Sequence, residues 1–192
     1  MTREQVRRGT ALLTDITFLR IVLVPCIMYL VLAGARHRYA YAVAGGLFAF
    51  AAFTDFVDGY LARRWRLTTT LGAFLDTTAD KLLVSGVMVA LVAVGRMSVW
   101  ITVIVIGREL VILGLRGVVA AAGTAFPPSF WGKLKANVQF AGILLAIVRT
   151  SHRLGPLFLD QWVMLVVAIV TVASALDYLV RYSSELTSRQ GA

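Results

Sequence analysis

Four aspartates, Asp55, Asp58, Asp76 and Asp80, fall within the stretch "TDFVDGYLARRWRLTTTLGAFLDTTADKLL", whose other residues largely suit a lipid bilayer. Asp55 and Asp58 are three apart, so on a helix both project from nearly one face, and Gly59 and Ala62 continue that face. Gly72, Asp76 and Asp80 recur every four residues and form a second stripe. Charges inside a membrane are costly and face a bundle interior or a water-filled cavity where they find partners. Four carboxylates brought together would repel one another at low dielectric, and divalent cations would neutralise them. Oxygen ligands without Cys or His favour Mg²⁺, Mn²⁺ or Ca²⁺ over zinc, and Mg²⁺ commonly shares such carboxylates with substrate phosphates. The spacing therefore predicts a metal-assisted site for a phosphate-bearing substrate. Gly59, Ala62 and Gly72 would keep the groove open and Arg63 would balance phosphate charge, although each small residue could equally serve helix packing.

The composition fits that setting. Hydrophobic residues make up 59% of the 192 positions and charged residues 15%, with a mean hydropathy of +0.80, which is not the profile of a water-soluble globule. The formal net charge of +9 comes from Lys and Arg dispersed between apolar runs. That distribution suits anionic headgroups or anionic substrates, and it argues against a nucleic-acid partner despite a pI near 10.4. Cys26 is the single cysteine, so no internal disulfide or multi-thiolate metal site is expected. His37 and His152 lie in short basic connections and read as solvated loop residues.

Six apolar stretches, at about 17–35, 39–63, 70–95, 98–122, 131–150 and 157–181, approach the roughly 20 residues that cross a hydrocarbon core. They predict an all-α integral membrane protein with six transmembrane helices. Residues 1–16 form a cytoplasmic amino-terminal segment, 17–182 the catalytic domain and 183–192 a cytoplasmic tail. The basic, mixed character of residues 1–16 allows an amphipathic surface helix, with a disordered tail as the alternative. Arg3, Arg7 and Arg8 ahead of an apolar run resemble a secretory signal, but Arg20 and Pro25 interrupt the run, so it is expected to stay as the first span. Basic residues at or beyond the ends of the spans number ten on the amino-terminal side (Arg3, Arg7, Arg8, Arg63, Arg64, Arg66, Lys133, Lys135, Arg181 and Arg189) and five on the other (Arg36, Arg38, Arg96, Arg149 and Arg153). Both termini and the loop after Arg63 are therefore expected in the cytoplasm, in a multi-pass protein of the cell membrane.

The run from Asp55 to Asp80 has the pattern D-x2-D-G-x2-A-R-x8-G-x3-D-x3-D with every fixed position present, and it resembles the signature of the CDP-alcohol phosphotransferase family. The resemblance implies a six-helix membrane enzyme, usually a homodimer, that passes a phosphatidyl or related group from a CDP-linked donor to an alcohol and releases CMP. It implies that Asp55, Asp58 and Asp76 ligate two divalent ions, Mg²⁺ or Mn²⁺. Asp80 is implied as the base near the acceptor hydroxyl, with a further reach to metal. Gly59, Ala62, Arg63 and Gly72 match positions that line the CDP pocket. "GRELVILGLRG" (107–117) and "WGKLKANVQ" (131–139) look like the phosphatidylglycerophosphate synthases of that family, which implies CDP-diacylglycerol as donor and glycerol 3-phosphate as acceptor. Arg108, Arg116, Lys133 and Lys135 supply the cations a phosphorylated acceptor needs. Arg108 could instead pair with Glu109, and the two lysines could anchor headgroups. Leu13-Thr14 and Ala136 depart from the Pro-Asn and Thr found in many relatives.

Arg20 is compatible with a phosphate contact and equally with a snorkelling interfacial residue, whereas Asp177 and Arg181, four apart, read as a structural ion pair. Rival readings keep the chemistry and change the acceptor, to phosphatidylglycerol or to inositol phosphate. Others replace the chemistry altogether, by a cation-coupled transporter or a purely structural membrane protein. The concentration of carboxylates beside one loop, without paired broken segments, disfavours the transporter.

Overall fold

Three apolar stripes define the first half of the chain, and each turns polar at one end. On α1 (Arg3–Ala33) the buried positions are Thr17, Arg20, Val24, Ile27 and Val31; on α2 (Arg38–Trp65) they include Ala40, Ala44, Phe48, Ala51 and Asp58. On α3 (Thr70–Ala93) Ala79, Leu83, Val87 and Leu91 are buried, with Asp76 ahead of them and Asp80 directly after Ala79. The three- and four-residue steps keep each set on one helical face. Because α1 and α3 are polar towards their starts and α2 towards its end, an up-down-up arrangement of three helices gathers the polar residues at one level.

The computed structural model describes residues 3–34, 36–65, 70–121, 130–149 and 153–190. It is helical throughout, apart from a two-residue antiparallel pairing of β1 (Arg153–Leu154) with β2 (Leu157–Phe158). The remaining helices are α4 (Val99–Ala121), α5 (Phe130–Val148) and α6 (Leu159–Gln190). The chain divides into two compact units, one of Met1–Arg96 with Ala146–Val148 and the other of Met97–Leu145 with Arg149–Ala192.

In the first unit α1 packs on both α2 and α3. In the second α4 packs on α6, and Gly142 of α5 lies so close to α6 that an added Cβ would stand 2.8 Å from Met164 Sδ. The buried stripe of α6, from Asp160 through Met164, Val167 and Thr171 to Ser174, repeats the change from apolar to polar. Arg149 donates from Nη2 to Asp160 at 2.7 Å, tying the end of α5 to the start of α6.

Among the described residues three helices, over Thr14–Ala33, Tyr39–Gly59 and Leu159–Arg181, are long and apolar enough to cross a membrane. The outward faces carry Phe53, Phe56, Phe74, Trp100 and Ile169, large apolar side chains suited to lipid. α3 carries Asp76, Asp80 and Lys81, α4 carries Arg108, Glu109 and Arg116, and the apolar run of α5 is short, which separates these three from the clear spans. At its start the first helix departs from the sequence reading: residues 3–16 continue into the span as a single helix, with Pro25 inside it. A proline there forgoes one backbone hydrogen bond, a loss that membrane helices tolerate. α6 likewise runs past residue 182 to Gln190. His152 and the loops after α2 (66–69) and α4 (122–129) lie outside the described residues.

The close approach of α3 to α1 is testable at Gly86, where an added Cβ would stand 2.9 Å from Met28 Sδ and 3.0 Å from Val24 Cγ1. Gly86→Val should lower stability by about 1–3 kcal/mol through overpacking, read as a fall in melting temperature. Gly46→Ala, where an added Cβ meets nothing within 4 Å, should leave it nearly unchanged.

Candidate active site

At the polar level of the first unit the three stripes converge on one guanidinium. Arg20 Nη1 lies 2.8 Å from Asp55 Oδ1 and 3.0 Å from Asp76 Oδ1, while Nη2 donates to Asp58 Oδ2 at 3.1 Å. Arg20 comes from α1, Asp55 and Asp58 from α2, and Asp76 from α3, so one side chain joins all three helices. Arg20 is 1% exposed. A planar fork of N–H donors suits this task better than an ammonium, since separate nitrogens can serve separate carboxylates.

The aspartates are not equivalent. Asp58 is nearly closed off, with 6% of its side chain exposed, whereas Asp55 and Asp76 keep 31% and 43% open. Asp80 pairs with Lys81 Nζ at 3.3 Å and is 28% exposed, so a small molecule can reach it. Gly59 and Gly72 are half-buried. The side chains of Ala62, Arg63 and Lys133 lie outside the described residues.

These residues suit a hard divalent ion in chemistry. All the candidate donors are carboxylate oxygens, and Asp58 Oδ1 is buried without a hydrogen-bond partner, a costly state that an ion would relieve. In arrangement, Arg20 holds the place among them: among the described residues no three acidic, His or Cys side chains form a ready cage.

The second unit carries its own buried charge cluster. Glu109 on α4 accepts hydrogen bonds from Lys135 Nζ of α5 and, at 3.3 Å, from Arg108 Nη1; Arg108 Nη2 also donates to Ser174 Oγ of α6 at 2.6 Å. Arg108 and Lys135, both expected at a phosphorylated acceptor, are thus brought together, with Glu109 between them. Arg108 Nε is buried with no partner. Arg116 is exposed about two turns along α4. Asp177 and Arg181 form the expected pair at 3.0 Å.

Sequence reasoning named Arg20 and Glu109 but not their organising roles: Arg20 read as a phosphate contact or a snorkelling residue, and Glu109 only as a possible partner of Arg108. A signal for the first was present: Arg20 is the only basic residue between Arg8 and Arg36, on a helix beside three carboxylates in need of a cation. Glu109, a carboxylate in an apolar helix, had the same need in reverse.

Residues 14–173 match the family model described as CDP-alcohol phosphatidyltransferase. A protein of Mycobacterium tuberculosis (strain ATCC 25618 / H37Rv) named "Probable phosphatidylglycerophosphate synthase" is 39% identical over 168 residues, covering 86% of this chain and 78% of that protein. Proteins of Pseudomonas fluorescens and of Yersinia pestis (strain Pestoides F), both named "CDP-diacylglycerol--glycerol-3-phosphate 3-phosphatidyltransferase", are 35% and 38% identical. The matches cover 84% of this chain and 81% of the first, and 86% of this chain and 91% of the second.

Removing Glu109 alone, as Glu109→Gln, leaves two cations facing each other in a buried place and should cost on the order of 3–5 kcal/mol of stability. Adding Lys135→Met should recover part of that loss. A thermal double-mutant cycle measures the coupling, and strictly additive effects would show that the pair does not act as a unit.

Proposed function

The chain belongs to the CDP-alcohol phosphatidyltransferase family, and on that premise we propose that it transfers the phosphatidyl group of CDP-diacylglycerol to sn-glycerol 3-phosphate, giving phosphatidylglycerophosphate and CMP in phospholipid biosynthesis. The observation that carries the reading is the convergence of Asp55, Asp58 and Asp76 from two helices on one cationic point, with Asp80 accessible one turn further along α3. The names of the relatives support the choice of acceptor. So does the second unit, where two cations share one carboxylate, Arg108 Nε is unpartnered and Arg116 is exposed. These groups suit a phosphate dianion.

In this reading a hydroxyl of the acceptor attacks the donor phosphorus that bears the diacylglycerol, and the bond from that phosphorus to the oxygen of CMP breaks. Asp80 takes the hydroxyl proton, and Lys81 Nζ, 3.3 Å from its Oδ2, holds the carboxylate in place. Asp55, Asp58 and Asp76, with Asp80 in part, would hold two divalent ions, Mg²⁺ or Mn²⁺, which supply Lewis-acid polarisation of the diphosphate and charge stabilisation for departing CMP. Gly59 and Gly72, with Ala62 and Arg63, would border the CDP group. Arg108, Arg116, Lys133 and Lys135 would hold the acceptor phosphate.

Six membrane crossings, cytoplasmic termini and site, and a homodimer complete the proposal. In the sequence the basic segment 3–8 precedes Arg20 and the segment 63–66 falls between Asp58 and Asp76, which favours the cytoplasmic side for the chemistry.

Purified protein given CDP-diacylglycerol should release CMP with glycerol 3-phosphate and form phosphatidylglycerophosphate. Chelation should stop the reaction, and Mg²⁺ or Mn²⁺ should restore it. Conversion of phosphatidylglycerol to cardiolipin, without use of glycerol 3-phosphate, would overturn the acceptor and leave the aspartate chemistry standing. Asp80→Asn should lose on the order of 10²–10⁴ in kcat while still binding the donor, and near-normal turnover in a folded variant would remove its role as base.

A further inference from the structure

Arg20 raises a question that the transfer reaction does not answer. A side chain that is 1% exposed and paired with three carboxylates occupies the place where divalent ions are expected to bind. Its pairing is also incomplete on both sides: Arg20 Nε and Asp58 Oδ1 are buried without hydrogen-bond partners. A buried charge cluster with unsatisfied atoms is poised to rearrange when a better partner arrives.

Charge accounting gives the rearrangement a direction. Three ionised carboxylates and one guanidinium carry a formal charge of −2, while Asp80 and Lys81 cancel each other. One divalent ion would neutralise that cluster. A second would leave an excess of two positive charges in a poorly solvated place, unless an anion of matching charge entered with it. A nucleoside diphosphate group is such an anion. Without Arg20 the same three carboxylates would attract cations more strongly, because a positive charge a few ångströms away opposes every ion that enters.

We propose that Arg20 is a resident counter-cation: it holds the three-aspartate site together when no divalent ion is bound, weakens ion binding in that state, and so ties full loading of the site to arrival of the diphosphate-bearing donor. This inference rests on the divalent-ion reading above. It assigns Arg20 a positioning role exerted through Asp55, Asp58 and Asp76.

Mn²⁺ binding to the full-length protein in detergent, measured with and without CDP and without acceptor, tests this apart from turnover. In the wild type CDP should tighten Mn²⁺ binding. Arg20→Met should bind Mn²⁺ about tenfold or more tightly than wild type in the absence of CDP, and should gain less from CDP, since one opposing unit charge has been removed at close range. Its metal-free form should melt at a lower temperature than wild type, with the gap narrowed by Mn²⁺. Arg20→Gln, which keeps a hydrogen-bonding amide without the charge, serves if the Met variant does not fold: it too should bind Mn²⁺ about tenfold or more tightly than wild type without CDP, because the opposing unit charge is gone. Variants that bind Mn²⁺ no more tightly than wild type would overturn the role of Arg20 and leave the metal reading intact. A wild-type protein that binds no Mn²⁺, with or without CDP, would overturn both.

Discussion

Three carboxylates share one buried guanidinium in this protein, and the packing of its first unit follows from that constraint. Asp55, Asp58 and Asp76 could not stand together at low dielectric without a cation, and Arg20 is the side chain that reaches all three. Its position on α1 dictates that α1 lie against both α2 and α3. The apolar residues below it, Val24, Ile27 and Val31, are buried as well, and Val24 stands close to Gly86 of α3. The small residues Ala44 and Ala51 on α2 and Gly86 on α3 let the backbones come close. Packing and charge thus fix the same helix phases from opposite ends of the stripes.

The second unit solves the inverse problem. Glu109 is a single buried carboxylate facing Arg108 and Lys135, so its cluster keeps a positive excess where the first keeps a negative one. Hydrophobic residues of similar size would stabilise either cluster at least as well, because desolvating ions consumes most of what their attraction returns. Retaining the charges makes sense for substrates that are themselves charged: cations and a diphosphate suit the acidic cluster, and a phosphate ester suits the basic one.

Much of this was legible in the residues because it is local. Apolar runs marked the helices, three- and four-residue steps put the aspartates on two faces, and the pairs Arg108 with Glu109 and Asp177 with Arg181 follow from adjacency or one helical turn. The partners of Arg20 are 38 and 56 positions away for Asp58 and Asp76, and Lys135 is 26 from Glu109. Such contacts depend on how neighbouring helices are rotated about their own axes, which no single helical period reveals. The start of α1 was illegible for another reason: residues 3–16 are basic and mixed, a pattern that suits a surface helix, and nothing in it signals that the helix runs on unbroken to Ala33.

The choice of arginine at position 20 carries the argument one step further. A lysine could neutralise one charge there, but its nitrogen is a compact point, and two carboxylates would be left to repel each other. The guanidinium spreads one charge over a fork wide enough for Asp55 and Asp76 at one nitrogen and Asp58 at another. That spread gives each carboxylate only part of a counter-charge, which leaves the site assembled and still deficient in positive charge. On the proposed divalent-ion reading, assembly without full neutralisation is what the site needs, since a site already neutral would have no electrostatic reason to admit either an ion or a diphosphate.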